Sequence, residues 1–114
     1  MISIRPIAAH EWQKYRDARL RALQDSPDAF GSTWARESAL TDESWSTRIA
    51  AAAISRHDGA FFAVNGEQVL GLIRARLSDK ESGIADIYQM WVDPAARGLG
   101  AGRSLLQQAI AWAK

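Results

Sequence analysis

The residues whose types and spacing can do chemistry are concentrated in one stretch, 84–106, IADIYQMWVDPAARGLGAGRSLL. Gly98, Gly100 and Gly102 alternate where a helical pattern begins. Glycines there let backbone N–H groups come close to a ligand and adopt turns closed to other residues. The first amides of a helix have no partner within it and lie at the positive end of its dipole. Together these features make an anion site suited to a phosphate or pyrophosphate. Arg97 and Arg103 flank it and are placed to add charge-assisted bonds. The structural alternative is a tight strand-to-helix connection and nothing more. A Walker A loop does not fit, because Arg103-Ser104 stands where Lys-Ser/Thr is needed. A dinucleotide fingerprint fails too, since arginine occupies the third glycine position and no parallel strand–helix–strand unit surrounds the loop.

The elements that must hold this loop are legible from period and punctuation. Ile2 and Ile4 form a short strand that Pro6 ends. Helix formers run over 10–24, and Asp25-Ser26-Pro27-Asp28 breaks them. A second helix is predicted from Thr41, with Asp42 and Glu43 in its first turn and Trp45, Ile49 and Ala52 on one stripe. The period then falls to two. Strands are predicted over 60–64, 68–77 and 84–92, with a type I′ turn at Asn65-Gly66 and a polar turn over 78–83. In the second of them Val69, Gly71, Ile73, Ala75 and Leu77 should share one face, leaving Arg74 and Arg76 on a solvated one. Short turns between these three strands require an antiparallel meander. The last helix, 102–114, carries Leu105, Leu106, Ala109 and Ile110 on its apolar side.

Bulk composition narrows the class. The chain has 114 residues, enough for one small domain, with 47% hydrophobic and 24% charged residues. Its net charge of +1 gathers into no basic stripe, so nucleic acid is not an expected partner. There is no cysteine, and His10 and His57 are far apart, which argues against a metal centre and leaves both histidines as surface residues. No apolar run approaches the ~20 residues that span a bilayer, so neither membrane nor secretion is expected and the cytoplasm is the default.

Val92-Asp93-Pro94 followed by Arg97-Gly98-Leu99-Gly100-Ala101-Gly102 resembles the central motif of the GNAT N-acetyltransferases, Arg/Gln-x-x-Gly-x-Gly/Ala. Arg97, Gly100 and Gly102 stand on its fixed positions, and the order of elements agrees with that family over essentially the whole chain. The resemblance implies an α/β fold, a mainly antiparallel sheet with flanking helices. It also implies transfer of an acetyl group from acetyl-CoA to a primary amine, without a metal. The amides of Arg97, Gly98, Leu99, Gly100, Ala101, Gly102 and Arg103 would then hold the CoA pyrophosphate. Met90, Trp91 and Val92 would pair through their main chain with the pantetheine arm, while the side chains of Trp91 and Val92 pack in the core. Some members of the family carry a glutamate base at the position of Asp86, within Ala85-Asp86-Ile87. A base is useful because a lysine-like amine has a pKa of roughly 10.4 and must be neutral to attack. The alternative for Asp86 is a surface aspartate. Asp86 shares strand parity with Tyr88 and Met90, and Tyr88 is counted with the acceptor site. Phe30 and Trp34 are expected on the acceptor wall, with packing beneath a loop as the alternative; Asp93 is a turn residue.

A complete GNAT domain continues with a further strand, another helix and a final hairpin, and often a tyrosine that protonates the leaving thiolate. None follows Lys114, and Tyr88 lies in the wrong element to replace that tyrosine. The expectation is one domain over 1–114 that is incomplete at its C-terminus, by truncation, by a shortened coding sequence, or as a half completed by a partner chain. The acceptor is a small-molecule or peptide amine, and a homodimer is a possibility the family offers. The rival reading is a non-catalytic CoA-binding or interaction module.

Overall fold

The computed structural model describes residues 2–26, 33–78 and 85–113. Strand β1 (Ser3–Pro6) leads through a 3₁₀ turn into helices α1 (Trp12–Asp25), α2 (Trp34–Ser38) and α3 (Asp42–Ile54). Strands β2 (Asp58–Asn65), β3 (Gln68–Leu77) and β4 (Ala85–Val92) follow, and a second 3₁₀ turn at Pro94–Ala96 precedes helix α4 (Ala101–Ala113). The sheet runs β1-β2-β3-β4 with every pair antiparallel, which is the expected meander with β1 added beside β2. The mixed α/β class therefore stands, with α1 and α3 on one face of the sheet and α4 on the other.

Two cores follow from that layering. Tyr15, Trp45, Ile49, Phe62 and Leu72 pack on the α1/α3 side, and Phe61, Ile73, Ala75, Leu105 and Ala109 on the α4 side. Strands β2 and β3 are thus covered on both faces, which is why they read as nearly unbroken apolar runs. Helix α4 buries only Ala101, Leu105 and Ala109, a stripe of four-residue steps. Leu106 and Ile110, expected on the same stripe, are exposed.

Two register shifts correct the strand faces expected from strict alternation. Ala63 pairs with Gly71 but Val64 pairs with Val69, so Leu70 is an extra residue in β3. Val69 accordingly packs with the α1/α3 core while Ile73 and Ala75 stay on the α4 side. Arg74 pairs with Gln89 but Ala75 pairs with Ile87, which makes Tyr88 the extra residue of β4. Tyr88 consequently lies over Arg74 and Arg76 on the α1 side, whereas Met90 lies against Gly102 of α4. Asp86, Tyr88 and Met90 do not share one face. Arg74 is not solvated either; it is 9% exposed, because α1 covers that face of β3 with Tyr15. The hairpin also differs in type. Asn65 pairs with Gln68, leaving Gly66-Glu67 as the two-residue loop, and Gly66 alone has a positive φ (62°). That is the glycine-first pattern of a type II′ turn, not a type I′ turn, which needs two positive φ values.

Helix starts follow the sequence chemistry. The Thr41 hydroxyl accepts from the Ser44 N–H at 3.1 Å, and Thr33 does the same for Arg36 at the head of the unexpected α2. Five residues make a helix too short to persist alone. It is held by Glu37, whose carboxylate takes a two-pronged contact from Arg19 of α1 at 3.1 and 3.0 Å, both side chains being buried. Near the N-terminus, Glu11 accepts from both terminal nitrogens of Arg5 at 2.6 and 2.7 Å and from the Ala8 N–H at 3.0 Å. The Arg5 bonds first, opposed by burial, lower its pKa from 4.5 to about 2. The folded carboxylate binds its proton less readily than the unfolded one. Its stabilisation is therefore complete above pH 4.5 and is lost as pH falls towards about 2. Urea midpoints measured from pH 6 to 2.5 should fall across that window, and Glu11→Gln should flatten the fall.

Gly71 sets the spacing of β3 and β4. A Cβ there would lie 2.6 Å from the Trp91 carbonyl oxygen and 3.3 Å from the Val92 Cα, both backbone atoms that cannot swing away. Gly71→Ala should destabilise the fold by ~3 kcal/mol as the strands part, read as a lower midpoint in urea unfolding.

Candidate active site

The loop between β4 and α4 is built from its turn chemistry. The Asp93 carboxylate accepts from the Ala95 N–H at 2.9 Å, and Pro94 opens the 3₁₀ turn with its preset φ. The Arg97 and Leu99 amides donate back to Pro94 and Ala96 at 3.4 and 3.3 Å. Gly98 and Gly100 have φ of 90° and 84°, a region that L side chains avoid. Neither would crowd a neighbour with a Cβ, so glycine is required here by backbone conformation and leaves open space in front of the loop. Ser104 makes the first full helical bond, to the Gly100 carbonyl at 3.0 Å. The amides of Ala101, Gly102 and Arg103 therefore head the helix without carbonyls four residues behind them. A concavity of about 340 Å³ lies in front, lined by Val92, Ala96, Arg97, Gly98, Gly100 and the residues 101–103. Leu99 is not part of its lining and is 66% exposed.

Among the described residues β4 is the outer strand of the sheet. Along an antiparallel edge strand, successive residues turn their main-chain groups alternately inward and outward. The Trp91 carbonyl faces Gly71 of β3, and its indole is 4% exposed. The outward positions are therefore Met90 and Val92. The Val92 carbonyl accepts from Arg97 Nε at 3.0 Å, which ties the strand end to the loop.

Helix α1 reaches this same place. Asp25 Oδ2 accepts from Trp91 Nε1 at 3.0 Å and from Arg97 Nη2 at 2.5 Å, and these bonds, Trp91 first, lower the Asp25 pKa. Arg21 pairs with Asp93 and lies 5.2 Å above the Trp91 ring. The last turn of α1 is thus fastened to the entry and the floor of the loop.

Further along β4, on the α1 side of the sheet, lies a polar cluster. Tyr15 donates its hydroxyl to Gln89 Oε1 at 2.6 Å, and Arg74 Nη1 reaches the Tyr15 oxygen at 3.5 Å. The Arg74 guanidinium sits over the rings of Tyr15 and Tyr88 at 5.7 and 5.1 Å. Burial raises the Tyr88 pKa, and the positive charge of Arg74 opposes it. Asp86 is exposed and stands opposite Arg76. Arg76 in turn donates from Nε to Asp58 Oδ1 at 3.0 Å.

The Acetyltransferase (GNAT) family model matches residues 10–114. The chain belongs to the GNAT acetyltransferase family. Among solved GNAT structures, AAC(6')-Iy in complex with the bisubstrate analogue CoA-S-monomethyl-acetylneamine superimposes with a TM-score of 0.72 at 16% identity, covering 98% of this chain and 71% of that one. An acetyltransferase of the GNAT family from Streptococcus pneumoniae gives 0.74 at 19% identity, over 99% of this chain and 67% of that one. The aminoglycoside antibiotic 6'-N-acetyltransferase AAC(6')-Ih from Acinetobacter baumannii gives 0.73 at 15% identity, over 98% and 71%. At such identities the likeness is one of fold. No curated protein matches in sequence. Among the described residues no helix is long and apolar enough to cross a membrane, and no group of three or more His, Cys, Asp and Glu residues is arranged to hold a metal.

Within this GNAT fold the loop, the outward groups of Met90 and Val92, and Arg103 adjoin one another. Asp86 and Tyr88 lie farther along β4, at the end away from the loop. Trp34 opens α2 and is 43% exposed; Phe30 lies outside the described residues. His10 and His57 are exposed, and Asp93 caps its turn as expected. Sequence reasoning missed Asp25, read only as a helix breaker, and it missed the cluster of Tyr15, Arg74 and Gln89. A signal existed for Arg74, which interrupts the apolar run VLGLI and ARL.

Proposed function

We propose that this GNAT chain binds acetyl-CoA and serves transfer of its acetyl group to a primary amine. The observation that carries the reading is the alignment of two donor sets, the open amides at the head of α4 and the outward main chain of Met90 and Val92. The first suits a pyrophosphate, and the second suits an extended amide-bearing arm that adds to the sheet edge. Open space before Gly98 and Gly100 fits a bulky anion there. Acetyl-CoA supplies an acyl group activated as a thioester. Arg103, exposed in the first turn of α4, adds positive charge beside the pyrophosphate. The Arg97 side chain is held by Asp25 and Val92, so its part is to fix the loop and to offer its positive charge at short range.

An arm laid along β4 from the loop points towards Asp86. Asp86 accepts a proton from the incoming ammonium, directly or through water, and leaves the amine neutral for attack. Trp34, and Tyr88 beside Asp86, bound the acceptor's approach. The neighbours that act on aminoglycosides favour a small-molecule amine over a large acceptor surface.

Calorimetric titration should show binding of acetyl-CoA and none of NAD. Thiol release with amine acceptors should show turnover. Asp86→Asn should lower kcat by about 10²–10⁴-fold while leaving acetyl-CoA affinity unchanged. A variant that turns over at the parent rate removes Asp86 from the chemistry; a chain that binds NAD as well as acetyl-CoA overturns the reading.

A further inference from the structure

Arg74 is a buried charge that neither the proposed reaction nor an ion pair among the described residues uses. Its guanidinium is permanently ionised and 9% exposed. Its contacts are the Tyr15 hydroxyl at 3.5 Å and the faces of Tyr15 and Tyr88. Its Nε is buried and has no hydrogen-bond partner. Among the described residues no carboxylate touches it. The contrast within the same fold is sharp, since buried Arg19 has the Glu37 carboxylate on two nitrogens. A guanidinium withdrawn from water normally faces a carboxylate or phosphate that fills its fork.

The neighbouring charges do not supply one. Asp58 is bonded to Arg76, and Asp86 stands across from Arg76, two pairs further along the ladder than Arg74 and past the extra residue Tyr88. Arg74 and Arg76 share a face of β3, so the strand position opposite Arg76 puts Asp86 on the same side as Arg74. That placement is suited to a small molecule carrying an amine for Asp86 and an anion for Arg74. Tyr88 roofs the guanidinium at 5.1 Å, yet it is 41% exposed and is the extra residue of β4. A rotation of that side chain towards solvent would open the fork.

Resting on the N-acetyltransferase reading, we propose that Arg74 is a specificity-determining residue that receives a carboxylate of the acceptor. The substrate class is then an amine bearing a nearby carboxylate, such as an amino acid or short peptide acid. A polycationic amine of the aminoglycoside kind would meet an uncompensated positive charge at the same place.

The test is thiol release from acetyl-CoA by the full chain, with amino acids, their carboxamides, the corresponding decarboxylated amines, and neamine as acceptors. The best acceptor should carry a carboxylate, and its carboxamide should fall on the order of 100-fold in kcat/KM. Arg74→Met should remove that preference by lowering turnover of the acid alone, and Arg74→Lys should recover part of it. A purely structural arginine would lower acid and carboxamide together. Should either variant melt early, the acid-to-carboxamide ratio of the unaltered chain still decides. Equal use of acid and carboxamide, or preference for neamine, overturns the proposal while the N-acetyltransferase reading stands. Binding of acetyl-CoA with no thiol release from any acceptor overturns both.

Discussion

Gly100→Val should lower the affinity for acetyl-CoA by on the order of 100-fold or more while the fold survives. The residue has φ of 84°, and a β-branched side chain is driven out of that region. Holding it there costs of order 1–3 kcal/mol, so the loop relaxes and turns its amides off the anion. No neighbour would be struck by the new Cβ, which is why the loss should fall on binding and hardly on stability. Gly102→Ala is the internal comparison. It has no positive φ, and its Cβ would make ordinary contacts with Met90 and Val92 at 3.4 and 3.5 Å. Its affinity should stay within tenfold of the parent, a small effect on the order of 1 kcal/mol. Calorimetric titration and a thermal melt of each variant check both halves. A Gly100→Val chain that binds as tightly as the parent would place the pyrophosphate elsewhere.

Glu37→Ala should cost about 3–5 kcal/mol, since it strips a buried arginine of its two-pronged partner. That is a large share of the ~5–15 kcal/mol by which domains are stable. The pair also fastens the five-residue α2 to α1, so Trp34 should lose its fixed place with it. Urea unfolding measures the cost, and the double change Arg19→Met with Glu37→Leu should return most of it, because an apolar pair needs no counter-ion. If the single change proves nearly neutral, α2 is held by something other than this ion pair.

The loop was the most legible part of the chain because its requirements are local. Three alternating glycines before a helical stripe demand a turn and a helix head whatever the rest of the molecule does, and positive φ at Gly98 and Gly100 accords with that. The Thr41 cap and the meander were legible for the same reason: a hydroxyl caps its own helix, and short turns admit only antiparallel neighbours. The faces of β3 and β4 were not. One extra residue inverts everything beyond it, and neither Leu70 nor Tyr88 announces itself as a bulge. Helix α2 escaped notice because its stability comes from Arg19, eighteen positions away from Glu37.

By itself the sequence determined the family, the antiparallel meander and the glycine turn that leads into α4, all of which depend on residues within a few positions of one another. The tertiary structure alone decided which charges are buried and what they meet. It put Asp25 of α1 onto Trp91 and Arg97, and it set Arg74 between Tyr15 and Tyr88 with its Nε unmatched. Such pairings join groups that are distant along the chain, and burial is a property of the packed sheet and helices rather than of any one segment.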